Sequence, residues 1–436
     1  MQQKIALILT VIYSSSSLAG IDIGRLKQLF DSGNSQAAYD YALTERSDNE
    51  GDPVFDYYYG TAAIDIGQSS EGVFALERVL VSQPNNHAAR LELARGYFIL
   101  QEYARSRAEF DIVLKYNPPE SVREKIYYYL DSIRLQEDRY QTTSTAYVEL
   151  GFGTDSNINS GPSNPTIIFL GQTGQLNSAA LEQNDRVTRF RANYGISTPV
   201  TAKLSFNASI NISLNQNSDH SELDTRTLTE SAGLRLLHAQ DSYSIDLIAQ
   251  QFAIDTKDYR QLTGINTNLS RHLSQLSTIQ AFLQFSRQAF NEQEVRNVDT
   301  STLGIGFTRR FKTTLSPVLF ASTYIAQDNP ERSSDIARQI AERDYYGARV
   351  GTMLSTSART SGQFSINYQS SQYGLEDING ILREDDLSSA EFNFTWLLSR
   401  NWSLLADASF IQNDSSNTLN AYDRKQFSVS LHYEMK

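Results

Sequence analysis

The sequence predicts a two-domain α + β protein, in which N-terminal α-helical tetratricopeptide-like repeats precede a C-terminal 14-stranded antiparallel transmembrane β-barrel. Three observations support this prediction. Apolar residues in the first third of the chain follow helical spacing with a 34-residue period. From about Thr143 apolar and polar residues alternate instead. Long and short connections then take turns, as in bacterial outer-membrane barrels. The length of 436 residues agrees with two domains.

The composition excludes several classes of function. The net charge of −12 disfavours a nucleic-acid partner, which would need a basic surface. The chain has no cysteine, so it has no disulfide, no reactive thiolate and no cysteine metal ligand. The five histidines show no metal-ligand spacing and no histidine–serine arrangement of an outer-membrane lipase. We therefore predict no enzymatic activity, no metal and no cofactor.

The N-terminal segment predicts export. Lys4 precedes an apolar run from Ile5 to Tyr13, and a serine run ending in Leu18-Ala19 follows. The apolar run is shorter than the roughly 20 residues of a spanning helix. We predict a signal peptide over residues 1–20, cleaved after Ala19 or Gly20. The alternative, an N-terminal core helix, leaves the serine run unexplained.

Residues 21–139 predict a periplasmic domain of tetratricopeptide-like repeats. Pro84 and Pro118 lie one 34-residue period apart, and each would close a helix pair. The same period aligns apolar or small residues with one another: Gly60 with Ala94, Tyr59 with Leu93, Leu76 with Phe110, Leu80 with Leu114, and Gly72 with Ser106. An ordinary helical hairpin bundle is the alternative.

Both ends of this domain have recognisable features. A degenerate first repeat covers Asp22 to Ala42, with Gly33-Asn34 as its turn, and Pro119 to Arg139 predicts a capping helix. Stacked repeats offer a surface that holds a peptide segment. Tyr97 and Tyr103 in the second repeat are our candidate cargo contacts.

Residues 140–436 predict the barrel. The clearest strand runs from Leu204 to Leu214, with one fully apolar and one fully polar face. Trp396 and Trp402 flank one short turn, as in an interfacial aromatic girdle. Short turns are predicted near 199–202, 239–242, 272–275, 312–315, 356–360 and 399–401, and long loops near 155–185, 215–225, 253–260, 287–298, 327–342, 371–385 and 412–424. These connections give fourteen strands, with both ends of the barrel on the periplasmic side. A soluble β-sandwich is the alternative.

The polar face of the strands predicts a hydrated lumen. If the apolar phase faces lipid, the lumen receives charged side chains of both signs: Arg189, Arg191, Arg235, Arg349, Glu391 and Asp407. No dense ring of one sign appears, so selective conduction of small ions is not indicated. Such a lumen suits the passage of a polypeptide, or the residues simply satisfy one another inside a narrow barrel.

Two stretches carry a resemblance to a known family. One is Leu91-Glu92-Leu93-Ala94-Arg95, which continues through Tyr103 and Phe110. The other is Gly151-Phe152-Gly153-Thr154-Asp155-Ser156-Asn157-Ile158-Asn159, in which Thr154 stands where an aromatic is expected. With the architecture, they resemble the Slam family, the surface lipoprotein assembly modulators. The resemblance implies an outer-membrane translocon for a surface lipoprotein or a soluble hemophilin-like protein of heme or metal acquisition.

The motif and the loop after it supply candidate cargo or gating contacts: Asp155, Asn157, Asn159, Ile167, Ile168 and Phe169. Asp and Asn bond nearby backbone, so a purely structural role at the strand-to-loop transition is an equal alternative. The apolar segment of that loop, which contains Ile167, Ile168 and Phe169, is interpreted as a lumen plug or as a contact for emerging cargo.

A second loop is predicted to contain a helix. The helical spacing of Ile336 and Ile340 predicts a helix within Ser333–Arg343 that covers the barrel mouth.

Partners follow from the predicted location. The final alternating segment (Phe427, Val429, Leu431, Tyr433) resembles the signal that barrel-assembly machinery reads, with Met435-Lys436 as a departure. We also expect periplasmic chaperones and outer-membrane lipids as partners, and no nucleic acid. The rival functions are an exopolysaccharide export channel and a passive porin with a periplasmic scaffold domain.

Overall fold

A computed structural model describes residues 22–137, 141–169, 172–313 and 315–435. The chain divides into two compact units, Met1–Glu137 and Asp138–Lys436. The predicted signal peptide lies outside the described residues. Within the described ranges, none of the α-helices has the length and apolar character to cross a membrane.

The first unit is entirely helical among its described residues. Side-chain caps fix where several helices begin: the Asn34 and Asn86 amide oxygens accept from Ala37 and Ala89 backbone N–H groups, and Asp52 caps a helix whose first residue is Pro53. The helices are α1 (Ile23–Asp31), α2 (Ser35–Thr44), α3 (Arg46–Asn49), α4 (Pro53–Asp65), α5 (Ser69–Ser82), α6 (His87–Ile99), α7 (Tyr103–Lys115) and α8 (Glu120–Glu137).

The 34-residue period predicts the close helix crossings correctly. A Cβ atom on Gly72 would lie 2.5 Å from the Gly60 carbonyl oxygen, so α4 and α5 touch through their backbones. One period later, Ser106 is fully buried and donates its hydroxyl to the Ala94 carbonyl at 2.8 Å. A small residue is therefore required at both positions because the two helices of each pair approach too closely for a larger one.

A polar cluster ties the first two helix pairs together. The hydroxyls of Tyr59 and Tyr39 donate to Glu71 Oε2 at 2.5 and 3.1 Å. The hydrogen bond from Tyr59 holds the pKa of Glu71 below its usual range, and Arg46, 3.7 Å away, acts in the same direction. Burial and the same hydrogen bond raise the pKa of Tyr59.

The second unit is a closed barrel of fourteen antiparallel strands, as predicted. Each strand pairs with its neighbours along the chain, and the first strand closes the barrel against the last, from Ala146–Met435 to Asp155–Gln426. The strands described in the unit are β1 (Thr143–Asp155), β2 (Thr166–Phe169), β3 (Gln172–Gln175), β4 (Asp185–Pro199), β5 (Leu204–Asn217), β6 (Thr225–His238), β7 (Asp241–Ile254), β8 (Lys257–Ser274), β9 (Ser277–Phe290), β10 (Val298–Arg310), β11 (Val318–Pro330), β12 (Arg343–Ser355), β13 (Thr360–Tyr373), β14 (Glu384–Leu397), β15 (Trp402–Ser415) and β16 (Tyr422–Met435). β2 and β3 form a separate two-stranded sheet between the neighbouring barrel strands β1 and β4.

The outer face of the barrel is a continuous apolar band. Leu150 and Phe190 are register partners on neighbouring strands, as are Phe206 and Leu234, and all four are exposed, so their side chains point away from the lumen. Trp402 lies at the start of β15 and its ring is 4.7 Å from that of Tyr433. This band provides the lipid-facing surface that a membrane barrel requires.

One predicted long loop is wrong. Residues 253–260 hold only a two-residue connection, because β7 continues to Ile254 and β8 begins at Lys257. A β-bulge between Phe252 and Ala253 shifts the strand register, which breaks the apolar–polar alternation just where the strand continues. Asp255 closes the turn with φ +58°, a conformation that Asp tolerates. The alternation of long and short connections therefore fails here, and it also fails after β10, where the connection 311–317 is as long as the loops 218–224 and 291–297.

Two elements lie within the long connections. The loop after β1 contains the β2–β3 hairpin, which the sequence pattern did not predict as a hairpin. The loop after β11 contains helix α9 (Asp335–Ile340), as predicted from its helical spacing. We call the end of the barrel with these loops the long-loop rim and the opposite end the short-turn rim.

Candidate functional site

The lumen wall is fixed by the strand register. Because side chains alternate along each strand, the residues paired with Gly151 and Glu149 share their face, and these partners are Arg189 and Arg191. The same reasoning carried from strand to strand puts Arg235, Arg349, Glu391 and Asp407 on the lumen face as well. All six predicted lumen residues therefore line one surface.

Most of these charged side chains have an ion-pair or hydrogen-bond partner along the wall. Arg349 Nη2 lies 3.3 Å from Glu391 Oε2 and 3.1 Å from Ser365 Oγ. Arg191 Nη1 lies 3.2 Å from the buried Glu149 carboxylate. The Asn393 amide donates to Asp407 at 2.7 Å, and Arg189 donates to Ser428 at 3.0 Å. Arg191, Arg349 and Glu391 are therefore in ion pairs, whereas Arg189 and Asp407 bond uncharged side chains.

The described strands carry nearly equal numbers of lumen-facing charges. The acidic residues are Glu149, Asp155, Asp185, Asp246, Asp328, Asp385, Glu391, Asp407 and Glu434, and the basic ones are Arg189, Arg191, Arg235, Arg260, Arg310, Arg343, Arg349 and Arg424. A hydrated wall with interspersed charges of both signs resists adhesion of an apolar or a singly charged surface. It therefore suits transit of a chemically mixed polymer rather than selection of an ion.

Asp155 joins the first and last strands at the long-loop rim. Its buried carboxylate accepts two hydrogen bonds from Arg424 Nε at 3.0 and 3.1 Å and one from Arg424 Nη2 at 2.6 Å. Gln426 adds another at 2.6 Å, and the Asn157 backbone N–H adds one at 3.0 Å. Ser156 N also donates to the Lys425 carbonyl at 3.0 Å. We call this group of contacts the rim latch.

Asn157 and Asn159 fasten the base of the first loop. The fully buried Asn157 amide donates to the carbonyls of Gly161 and Asp423 at 2.8 and 3.0 Å and accepts from Gly161 N–H at 2.9 Å. Asn159 donates to the Leu181 carbonyl at 2.7 Å and accepts from Gln183 N–H at 3.0 Å. These motif residues thus bond backbone around the latch, and the buried Asp155 and Asn157 offer no free surface to cargo in this structure.

Three further buried carboxylates hold the long-loop rim in the same way. Asp185 accepts the Asp219 and His220 backbone N–H groups, each at 2.9 Å. Asp328 accepts from Thr300 Oγ1 at 2.7 Å and from Arg343, and Asp385 accepts from Arg383 and Ser415. The rim is therefore a rigid frame on which the long loops stand.

The hairpin of the first loop stands free of this frame. Residues 163–166 and 172–173 are exposed, and the hairpin's backbone bonds join it to itself. The plug interpretation and the cargo-contact interpretation of this loop both stay predictions. Ile167 is half-buried, and the side chains of Ile168 and Phe169 lie outside the described residues.

Helix α9 packs against neighbouring loops. Ala337 is fully buried, and the Gln339 amide donates to the Glu376 carbonyl at 2.8 Å. Ile336 and Ile340, whose spacing predicted the helix, are instead exposed. The face of α9 that packs is thus the small-residue face.

The candidate tyrosines of the helical unit differ from each other. Tyr97 is 2% exposed, and its hydroxyl bonds Glu77 and Arg105, whose side chains are 33% and 56% exposed. This placement removes Tyr97 from any contact surface. Tyr103 is half-buried at the start of α7 and touches the ring of Phe98 at 5.9 Å. The described ranges contain no group of three or more His, Asp or Glu side chains that would hold a metal ion.

The model of the surface lipoprotein assembly modifier family matches residues 145–434, about two thirds of the chain. The chain belongs to this family. The match covers the barrel from the first strand to the last, and with the closed fold it locates this surface lipoprotein assembly modifier in the outer membrane. The family is one of assembly and transport rather than a known class of enzymes.

Other similarities are distant. The outer membrane channel DcaP of Acinetobacter baumannii is 10% identical with a TM-score of 0.40, over 68% of this chain and 98% of that chain. A Pseudomonas aeruginosa FadL homologue is 9% identical with a TM-score of 0.40, over 68% and 92%. The second TPR domain of human RPAP3 is 14% identical with a TM-score of 0.23, over 26% and 90%. No curated protein matches by sequence. These likenesses say nothing about function.

Arg424 and Gln426 are the site residues of this family member that sequence reasoning missed. Both lie in the last strand, 269 and 271 positions from Asp155. Barrel closure could have indicated these two residues, because antiparallel pairing of the first and last strands must bring the end of β1 beside the start of β16. Applying that constraint to the motif would have pointed to these positions.

Proposed function

We propose that this surface lipoprotein assembly modifier is an outer-membrane translocon that passes a protein cargo through its barrel lumen. The observation that carries the proposal is the nearly charge-balanced, laterally paired lumen of a barrel that belongs to this family. Such a wall accommodates a polypeptide of mixed composition without binding it tightly. The free hairpin after β1 is the candidate contact for cargo as it emerges.

The cargo class follows from the family. We propose a surface lipoprotein, or a soluble hemophilin-like protein of heme or metal acquisition, as the exported molecule. The helical unit would lie in the periplasm and receive the cargo from periplasmic chaperones, and barrel-assembly machinery would insert the barrel among outer-membrane lipids. A lipidated and an unlipidated cargo would both present a polypeptide of mixed composition to the lumen.

The test is secretion of a small exported β-rich protein encoded beside this gene. Cells would express the intact chain, a chain lacking residues 21–139, or no chain, and protease accessibility would report cargo at the surface. We expect surface cargo only with the intact chain. Immunoblotting and heat-modifiable mobility would verify that the shortened barrel still reaches the outer membrane.

Each rival function gives a different result. Export that is indifferent to all three conditions would reject the translocon proposal. Surface polysaccharide that disappears with the chain, with protein cargo unaffected, would favour the export channel for glycans. Small-solute uptake that depends on the barrel alone would favour the passive porin.

A further inference from the structure

An aromatic stripe runs across the first helices of successive helix pairs in the helical unit. The rings of Phe30 on α1 and Tyr58 on α4 lie 5.5 Å apart, and Tyr57 contacts Tyr58 at 5.2 Å. On the next helices, Phe98 of α6 contacts Tyr129 of α8 at 5.0 Å. All five side chains are half-buried, so each packs on the core with one side and keeps the other accessible. We call these five residues the aromatic stripe.

The middle of the aromatic stripe is negatively charged. Arg95 of α6 donates to Glu92 at 2.7 Å and to Asp65 of α4 at 2.6 Å, so two carboxylates surround one guanidinium. Asp65 also accepts from Ser35 at 2.8 Å. Burial first, and then the charge of Glu92, raise the pKa of Tyr57 beside this cluster. Two carboxylates around one guanidinium leave a local excess of one negative charge beside Tyr57.

This arrangement excludes acidic ligands. Capture of a peptide's terminal carboxylate needs unpaired cationic groups, and the stripe's arginine is already matched by two carboxylates. The field of the whole unit acts in the same direction, since residues 22–137 contain nineteen acidic and twelve basic residues. A nucleic acid would be repelled.

We propose that the aromatic stripe binds an extended polypeptide segment in which lysine or arginine alternates with aromatic or apolar residues. Tyrosine and phenylalanine faces attract both apolar side chains and cations, and the carboxylates at the centre complement a basic residue between them. The segment's identity as part of an exported cargo rests on the proposed function. The binding itself does not depend on it.

The test measures peptide binding to the full chain in detergent micelles. The probe is a fluorescently labelled 14-residue peptide of alternating Tyr, Lys, Gly and Ser residues, compared with a peptide in which Glu replaces every Lys. Fluorescence anisotropy at low salt should show at least about tenfold tighter binding of the basic peptide, with the difference shrinking as salt is raised.

Variants that are expected to change peptide affinity in opposite directions distinguish a loss of recognition from a loss of folding. Glu92→Gln combined with Asp65→Asn should weaken binding of the basic peptide about three- to tenfold, whereas Arg95→Gln should strengthen it. Asp48→Asn combined with Asp111→Asn removes the same charge from α3 and α7, which carry none of the aromatic stripe, and should leave affinity nearly unchanged. Thermal melts verify folding of each variant.

The outcomes are distinct. Equal binding of both peptides, equal weakening by the two double variants, or weaker binding by a folded Arg95→Gln variant would overturn this inference while leaving secretion untouched. Peptide binding as expected, with secretion indifferent to the chain, would instead reject the proposed function and leave the stripe a peptide site of another process.

Discussion

The rim latch should contribute strongly to barrel stability. In Asp155→Ala, the Arg424 guanidinium and the Gln426 amide lose their shared acceptor, and the Asn157 N–H loses its own. Removing one partner of a buried ion pair costs about 3–5 kcal/mol. The Arg424 side chain keeps 24% exposure, so water recovers part of this loss and we expect about 3 kcal/mol.

The assay is urea unfolding of the barrel in lipid vesicles, followed by the fluorescence of Trp396 and Trp402. The matched control is Glu294→Ala, because Glu294 in the loop after β9 forms an ion pair with Arg332 in the loop after β11, with both side chains more than half exposed. Solvent should screen that pair, so its loss should change the free energy of unfolding by only a small fraction of the latch effect.

Two results would refute the reasoning. Equal changes for Asp155→Ala and Glu294→Ala would mean that burial of the carboxylate does not set the cost. An unchanged free energy of unfolding for Asp155→Ala would mean that the latch does not hold the first and last strands together. In either case the structural role of Asp155 would be rejected, and contact with cargo would be the remaining interpretation of the motif that contains it.

Three further predictions concern the helical unit and the seam between β1 and β16. Gly72→Ala should lower the free energy of unfolding of the helical unit by about 1–3 kcal/mol, because its Cβ would meet the Gly60 carbonyl oxygen at 2.5 Å, and an unchanged calorimetric melt would contradict this. The lowered pKa of Glu71 means that its contribution to stability is full above its unfolded pKa of about 4.3 and is lost as pH falls through the lower folded value. The protection factors of α4 and α5, which correct for the intrinsic slowing of amide exchange in acid, should therefore fall on acidification, and less so in Glu71→Gln. Phe152 and Val429 are register partners in a chain without cysteine, so a disulfide between Phe152→Cys and Val429→Cys should lock the seam. We expect secretion to remain intact, because cargo should use the lumen. Secretion that stops and resumes on reduction would show that the seam must open.

Local patterns predicted most of the helices and the barrel strands of this protein, but not the β2–β3 hairpin. Helical spacing with small residues at Gly72 and Ser106 predicted the helix pairs, because close packing acts on residues a fixed distance apart in sequence. Alternation predicted fourteen barrel strands and their lipid-facing phase, since only one phase is apolar enough to face lipid. The pattern failed at residues 253–260, where a bulge breaks the period of two without ending the strand.

The sequence by itself determined the two-domain architecture, the strand count and the polar lumen, and its motifs indicated the family. Only the tertiary structure decided what individual residues do. It showed Asp155 bonded to Arg424 across 269 positions, Tyr97 inside the core, and Phe30, Tyr58 and Phe98 along one stripe. The physical reason is that periodicity reports which face a side chain occupies, whereas its partners depend on how distant segments are brought together when the helices stack and the barrel closes.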